Sequence, residues 1–188
     1  MDLLSYSPFS SYFLYMKKFI TQPKSMGTIM PSSRWLCDAM LKPINWQQDL
    51  NIAEIGAGDG VLTKQILECM GEHSLLDAYE IDENFVSILN KVSDSRMSVK
   101  HTSAEYLADN YDIILSGIPF RSLSKRCGLK ILKQVNQRVA SSAGRFILFQ
   151  YTKGCENMLS RYFTFSKVRV YRNVPPAWVY ICQPKDKI

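Results

Sequence analysis

Three glycines at alternate positions, Gly56, Gly58 and Gly60, separate a strand-like apolar run from a helical pattern in the stretch NIAEIGAGDGVLTKQIL, residues 51–67. A turn that lets another molecule press against the main chain must lack side chains, and glycine also accepts positive φ at little cost. In a parallel sheet, ligands lie outside the carboxyl ends of the strands. The turn through Gly56, Ala57, Gly58 and Gly60 therefore predicts a cofactor cradle. The next apolar run, LLDAYEID, closes on Glu80, 20 residues past Gly60, with Ile81 beside it. A carboxylate at the tip of a second strand can accept both hydroxyls of a ribose.

Two features choose among ribose-bearing cofactors. A dinucleotide turn spaces its glycines as G-x-G-x-x-G, whereas Val61 holds the third of those positions here. Glu54, just ahead of the glycines, would set a carboxylate close to a pyrophosphate, which is unfavourable. Beside the ammonium and sulfonium of S-adenosylmethionine the same charge is favourable. The residues point to S-adenosylmethionine rather than to a nicotinamide dinucleotide.

Those positions need a sheet to hold them. Apolar runs with β-branched or aromatic character fall at residues 51–55, 75–81, 97–101, 111–116, 145–151, 167–172 and 178–182, and helical patterns at 32–41, 60–71, 83–92 and 125–141. This alternation predicts an α/β, Rossmann-like fold: a seven-stranded, mostly parallel sheet with helices on both faces. Only the short NVPPA stretch lies between the last two runs, too little for a crossover helix, so they should pair antiparallel. Ahead of the sheet, PFSSYFLYMKKFITQP repeats Phe9, Tyr12, Phe13, Met16, Phe19 and Ile20 at helical spacing, with Lys17 and Lys18 on the other side. Residues 1–24 are expected to form an amphipathic helix that lies in a lipid interface or closes a pocket. Residues 25–188 are expected to form one domain.

Composition narrows the field further. Hydrophobic residues make up 46% of the 188 and charged residues 21%, which is ordinary for a globular domain. No apolar run is long enough to cross a bilayer, and the start lacks the pattern of a secretory signal. Five scattered cysteines without a CxxC pair, and two histidines, exclude a disulfide framework or a zinc site and fit a reducing cytoplasm. The net charge of +6 is uneven: between Asp112 and Glu156 there are eight basic residues and no acidic one. Such a field attracts nucleic acid or a membrane surface carrying acidic lipids.

The motif AEIGAGDG resembles the first motif of class I methyltransferases, and AYEID their second. In that family the residue after the third strand contacts the adenine, often as the aspartate of a G-D-A triplet. Here HTSAEYL places Ser103 there, which implies Ser103 and Ala104 as cofactor contacts. The fourth strand ends DIILSGIPF. Nucleobase N-methyltransferases carry N/D-P-P-Y/F or N-L-P-Y at that place. Pro119 and Phe120 match its end, but Gly117 replaces the asparagine. A flexible alkyl amine, guided by the carbonyl of Ser116 or Gly117, is implied instead.

The segments MGTIMPSSR, LSGIPFRSL and RNVPPAWVY together resemble the bacterial phospholipid N-methyltransferases, which convert phosphatidylethanolamine stepwise into phosphatidylcholine. The rRNA adenine dimethyltransferases are a near relation that carries a helical domain after the sheet, for which a chain ending at Ile188 leaves no space. The resemblance implies Met30, Pro31, Ser32 and Ser116 beside the cofactor, and Arg34 or Arg121 on a headgroup phosphate. Tyr6 and Phe120 would surround the methylammonium by cation–π contact. Tyr151 would orient the amine or take its proton through water. The expected partners are a lipid amine substrate and a membrane surface, preferably anionic, met at the cytoplasmic face of the cell membrane; nucleic acid ranks lower, and no metal is implied. Two alternatives stay open: a methyltransferase acting on RNA, a protein or a small-molecule amine, and a non-catalytic S-adenosylmethionine-binding protein.

Overall fold

The computed structural model describes residues 33–139 and 144–185. The N-terminal helix expected over residues 1–24 lies outside them, as do Tyr6, Met30, Pro31 and Ser32. Seven strands form one sheet: β1 (Asn51–Ile55), β2 (Leu75–Glu80), β3 (Met97–His101), β4 (Ile113–Ser116), β5 (Arg145–Gln150), β6 (Phe163–Val170) and β7 (Ala177–Pro184). Their spatial order is β3-β2-β1-β4-β5-β7-β6. The first five pair in parallel, whereas β7 runs antiparallel to both β5 and β6. The order reverses between β1 and β4, and this is the switch point at which α/β sheets bind ligands.

Successive strand residues point to opposite faces, so each strand feeds two cores. On one face Ala53, Ile55, Ile114, Phe146 and Leu148 pack with Ile131, Leu132 and Val135 of α4 (Lys125–Arg138). On the other, Ile52, Leu76, Leu115 and Ile147 pack with Leu36 and Met40 of α1 (Arg34–Leu41) and Leu62 and Ile66 of α2 (Val61–Cys69). The buried positions of α4, Gly128, Ile131, Leu132 and Val135, follow the helical repeat. Lys125, Arg126, Lys130 and Lys133 consequently face solvent. The described residues also form two shorter helices, α3 (Glu83–Leu89) and α5 (Glu156–Leu159).

Polar caps fix where the helices start. Ser124 Oγ accepts from Cys127 N–H at 3.2 Å to begin α4, and Asp82 accepts from Asn84 N–H at 2.8 Å to begin α3. Ser33 Oγ likewise accepts from Leu36 N–H to begin α1. Several expected boundaries shift. The sixth strand begins at Phe163, well ahead of the expected Lys167. The α4 helix ends at Arg138, because Val139 turns into a bridge with Tyr111.

Candidate active site

The glycine turn is built around positive φ: 74° at Gly56, 58° at Gly58 and 80° at Gly60. Gly56 and Ala57 both donate their N–H to the carbonyl of Tyr79, at 2.8 and 3.2 Å, which ties the turn to the end of β2. A Cβ on Gly58 would meet nothing within 4 Å. Glycine is therefore needed there for conformation, and the open side is left for a ligand.

Glu80 braces this turn. One carboxylate oxygen accepts from Gly58 N–H at 2.8 Å, and the other from Ile81 and Asp82 N–H at 2.7 and 3.0 Å. A carboxylate offers about four acceptor positions, so about one stays available. The expectation that Glu80 holds both ribose hydroxyls is thereby refined: one can join as the turn stands, and a second would displace a backbone N–H. Beside it opens a cleft lined by Gly56, Glu80, Ile81, Ser103, Ala104 and Ile118. Ser103 Oγ accepts from Glu105 N–H at 3.2 Å, starting a short turn. Glu105 also lines the cleft, held by Cys127 Sγ at 3.4 Å and Lys130 Nζ at 3.3 Å.

Glu54 lies on the opposite sheet face from that cleft, in phase with Ile52. It is 1% exposed, and Thr63 Oγ1 donates to it at 2.6 Å. Burial pushes its carboxyl up to about 8, aided by the nearby charges of Glu80 and Asp59 and opposed by the Thr63 bond. A buried carboxyl so placed gains from an arriving cation. Burial, then the Glu54 charge, also pushes the neighbouring Cys37 thiol up to about 12.

At the end of β4 the chain passes close to the glycine turn. A Cβ on Gly117 would lie 2.9 Å from the carbonyl oxygen of Gly56, and one on Gly56 would lie 2.8 Å from Ile118 Cγ1. The missing asparagine thus has a packing cause: the two turns touch. Ser116 is fully buried, and its Oγ accepts from Ile118 N–H at 3.1 Å. Gln150 Nε2 donates to the carbonyl of Ile118 at 2.8 Å and fixes the same segment from β5. Pro119 leads into a single turn, Phe120–Ser122.

One expected role reads differently in the folded chain. Phe120 is 0% exposed and packs beneath Gly128 of α4, so its ring is core and not a wall for a methylammonium. Tyr151 sits just past β5, half-buried, edge-on to Phe149 with centroids 5.7 Å apart. Arg34 and Arg121 are both exposed, at the start of α1 and just after Phe120. The structure adds Thr63, Glu105, Gln150 and Asn173, none of which sequence reasoning had singled out. Thr63, Glu105 and Asn173 lie inside segments read for other residues, and for each of the four only its tertiary partner gives it meaning.

A seven-stranded sheet with a reversed β7, a glycine turn after β1 and a bracing carboxylate at the end of β2 define a class I methyltransferase, the class whose methyl donor is S-adenosylmethionine. The open Gly58, the remaining acceptor position of Glu80 and the apolar cleft walls fit that donor. Residues 15–143 match the profile of the ribosomal RNA adenine dimethylases, and the chain belongs to that family. It is 25% identical to the ornithine lipid N-methyltransferase of Singulisphaera acidiphila, over 92% of this chain and 95% of that protein. It is 28% identical to the ribosomal RNA small subunit methyltransferase A of Blochmanniella pennsylvanica, over 85% of this chain but 55% of that protein. In fold it is similar to the N-methyltransferase NodS of Bradyrhizobium japonicum, solved with S-adenosyl-L-homocysteine, with a TM-score of 0.73, 11% identity, and coverage of 94% of this chain and 99% of that one.

Proposed function

We propose that the chain is an S-adenosylmethionine-dependent N-methyltransferase acting on the headgroup amine of a membrane lipid, phosphatidylethanolamine or a related amine lipid. The observation that carries this reading is the likeness to an ornithine lipid N-methyltransferase over 92% of this chain and 95% of that protein. The packing of Gly117 on Gly56 supports it, because no acceptor-binding amide fits there without moving one of the turns.

Bound in the cleft, S-adenosylmethionine supplies a methyl group already activated as part of a sulfonium. The protein's share is then alignment, which in well-oriented reactions is worth about 7–11 kcal/mol at most. Glu80 would hold the sugar, and Glu54, buried on the sheet's other face, would favour the cationic end through its charge rather than by contact. Gln150 and Ser116 fix the strip at Gly117 and Ile118 along which the amine approaches. A protonated amine has no lone pair, so one proton must leave before attack; Tyr151 passes it to water. The N-terminal pattern, with Phe9, Phe13 and Phe19 opposite Lys17 and Lys18, makes reversible contact with an anionic bilayer at the cytoplasmic face.

A second reading, RNA methylation, draws on the family membership and on the exposed basic face of α4. Purified protein with labelled S-adenosylmethionine, offered phosphatidylethanolamine vesicles, total RNA and a metabolite extract in parallel, separates the two. Label in the lipid phase, strengthened by anionic lipid and weakened by salt, is the expected result. Label confined to RNA overturns the lipid reading, and label nowhere favours a binding protein.

A further inference from the structure

Past the carboxyl end of β5, three cations converge on one indole. Lys153 Nζ lies 4.7 Å from the ring centroid of Trp178, Lys167 Nζ 5.5 Å, and the guanidinium carbon of Arg169 5.0 Å. Attraction to the ring face explains why each is drawn there. It does not remove their mutual repulsion. Glu156 offsets one charge, at 2.7 Å from Lys167, and is itself held by the Tyr180 hydroxyl at 2.9 Å. Two positive charges stay uncompensated by these contacts. Arg121 adds a third from the side: a Cβ on Gly154, next to Lys153, would lie 3.8 Å from its Cδ.

The cluster adjoins the acceptor strip. Trp178 pairs with Gln150 across β5 and β7, and with Arg169 across β6 and β7. Gln150 in turn holds the carbonyl of Ile118, and Arg121 follows Phe120 directly. An anion seated on the cations would therefore border the strip that Gln150 holds. In an ethanolamine headgroup a phosphodiester is tethered to the amine, and its oxygens accept charge-assisted hydrogen bonds from lysine and arginine.

We propose that Lys153, Lys167, Arg169 and Arg121, gathered about Trp178, form an oxyanion site for phosphate, carried on a lipid headgroup or free in solution. The headgroup source rests on the lipid reading above; the oxyanion site does not. The four cations come from three segments of the chain, with Lys167 and Arg169 both on β6, and the cluster meets solvent on the side of the exposed Lys153.

The test uses the full chain and the variant K153Q/R169Q, whose substitutions fall on side chains outside the core and leave Glu156 paired with Lys167. Inorganic phosphate and glycerophosphoethanolamine are titrated separately while the indole N–H resonances are followed by NMR. The expected result is a saturable shift of the Trp178 resonance, with affinity at least tenfold weaker in the variant. Tighter binding of glycerophosphoethanolamine than of inorganic phosphate assigns the headgroup as source; the reverse order assigns free phosphate. In transfer assays on phosphatidylethanolamine micelles, the variant should raise KM at least fivefold with kcat little changed, and an amine lipid lacking phosphate should show no such change. Equal affinity of wild type and variant for both probes overturns the site. If the wild type transfers nothing to lipid while its phosphate shift persists, the lipid reading falls and the oxyanion site stands.

Discussion

The hydroxyl of Ser33 donates to the side-chain oxygen of Asn173 across 2.7 Å, joining two segments 140 residues apart. Asn173 also accepts from Ser33 N–H at 3.2 Å and donates to the carbonyl of Pro175 at 2.7 Å. One amide, 1% exposed, thereby holds the entry to α1 against the turn before β7. Asn173→Ala leaves these half-buried partners unpaired and should lower unfolding stability by about 1–3 kcal/mol. A double-mutant cycle with Ser33→Ala, read by urea denaturation, should show coupling between the two; additive losses would mean the contact carries no energy.

Gly117 tests the packing of the two turns. Restoring the asparagine of the nucleobase enzymes places a side chain 2.9 Å from the Gly56 carbonyl. Gly117→Asn should cost about 1–3 kcal/mol through overpacking, weaken S-adenosylmethionine binding, and gain no activity on RNA. A stable variant that methylates RNA would reverse the acceptor assignment.

The raised Glu54 gives a pH dependence with a definite sign. Its folded value, about 8, lies above the ordinary 4.5, so the folded state binds the extra proton. That contribution is fully present below pH 4.5 and fades as pH rises towards 8 and beyond. The slope reaches at most about 1.4 kcal/mol per pH unit. Urea unfolding of Glu54→Gln across that range should give a flatter profile than wild type. Matching profiles would mean that Glu54 is ionised at no cost.

The same carboxyl predicts proton release. A cationic ligand favours its charged form, so S-adenosylmethionine binding at pH 7 should expel protons, seen as a buffer-dependent calorimetric enthalpy. Glu54→Gln should abolish that dependence. A wild-type enthalpy that ignores the buffer would place the cationic end elsewhere.

The parts of this molecule that were legible in sequence are those where the backbone itself makes the demand. Gly56, Gly58 and Gly60 all take positive φ, and Glu80 caps the main-chain N–H groups beside them. Strand phases were readable where both cores are apolar. The start of β6 was not, because its inward phase changes character: Phe163 and Phe165 face the core, whereas Lys167 and Arg169 in the same phase lie over Trp178. At four residues, α5 is too short to show a repeat. Phe120 matched an acceptor motif, yet the motif says nothing of which way its ring turns, and the ring went to the core.

Every functional step above requires that the glycine turn and Glu80 grip the sugar of S-adenosylmethionine. Calorimetric titration of that compound into wild type and Glu80→Ala, with folding of both checked by thermal unfolding, measures this directly. The account predicts at least a tenfold rise in Kd, about 1.4 kcal/mol or more. An unchanged Kd in a folded Glu80→Ala protein would contradict it.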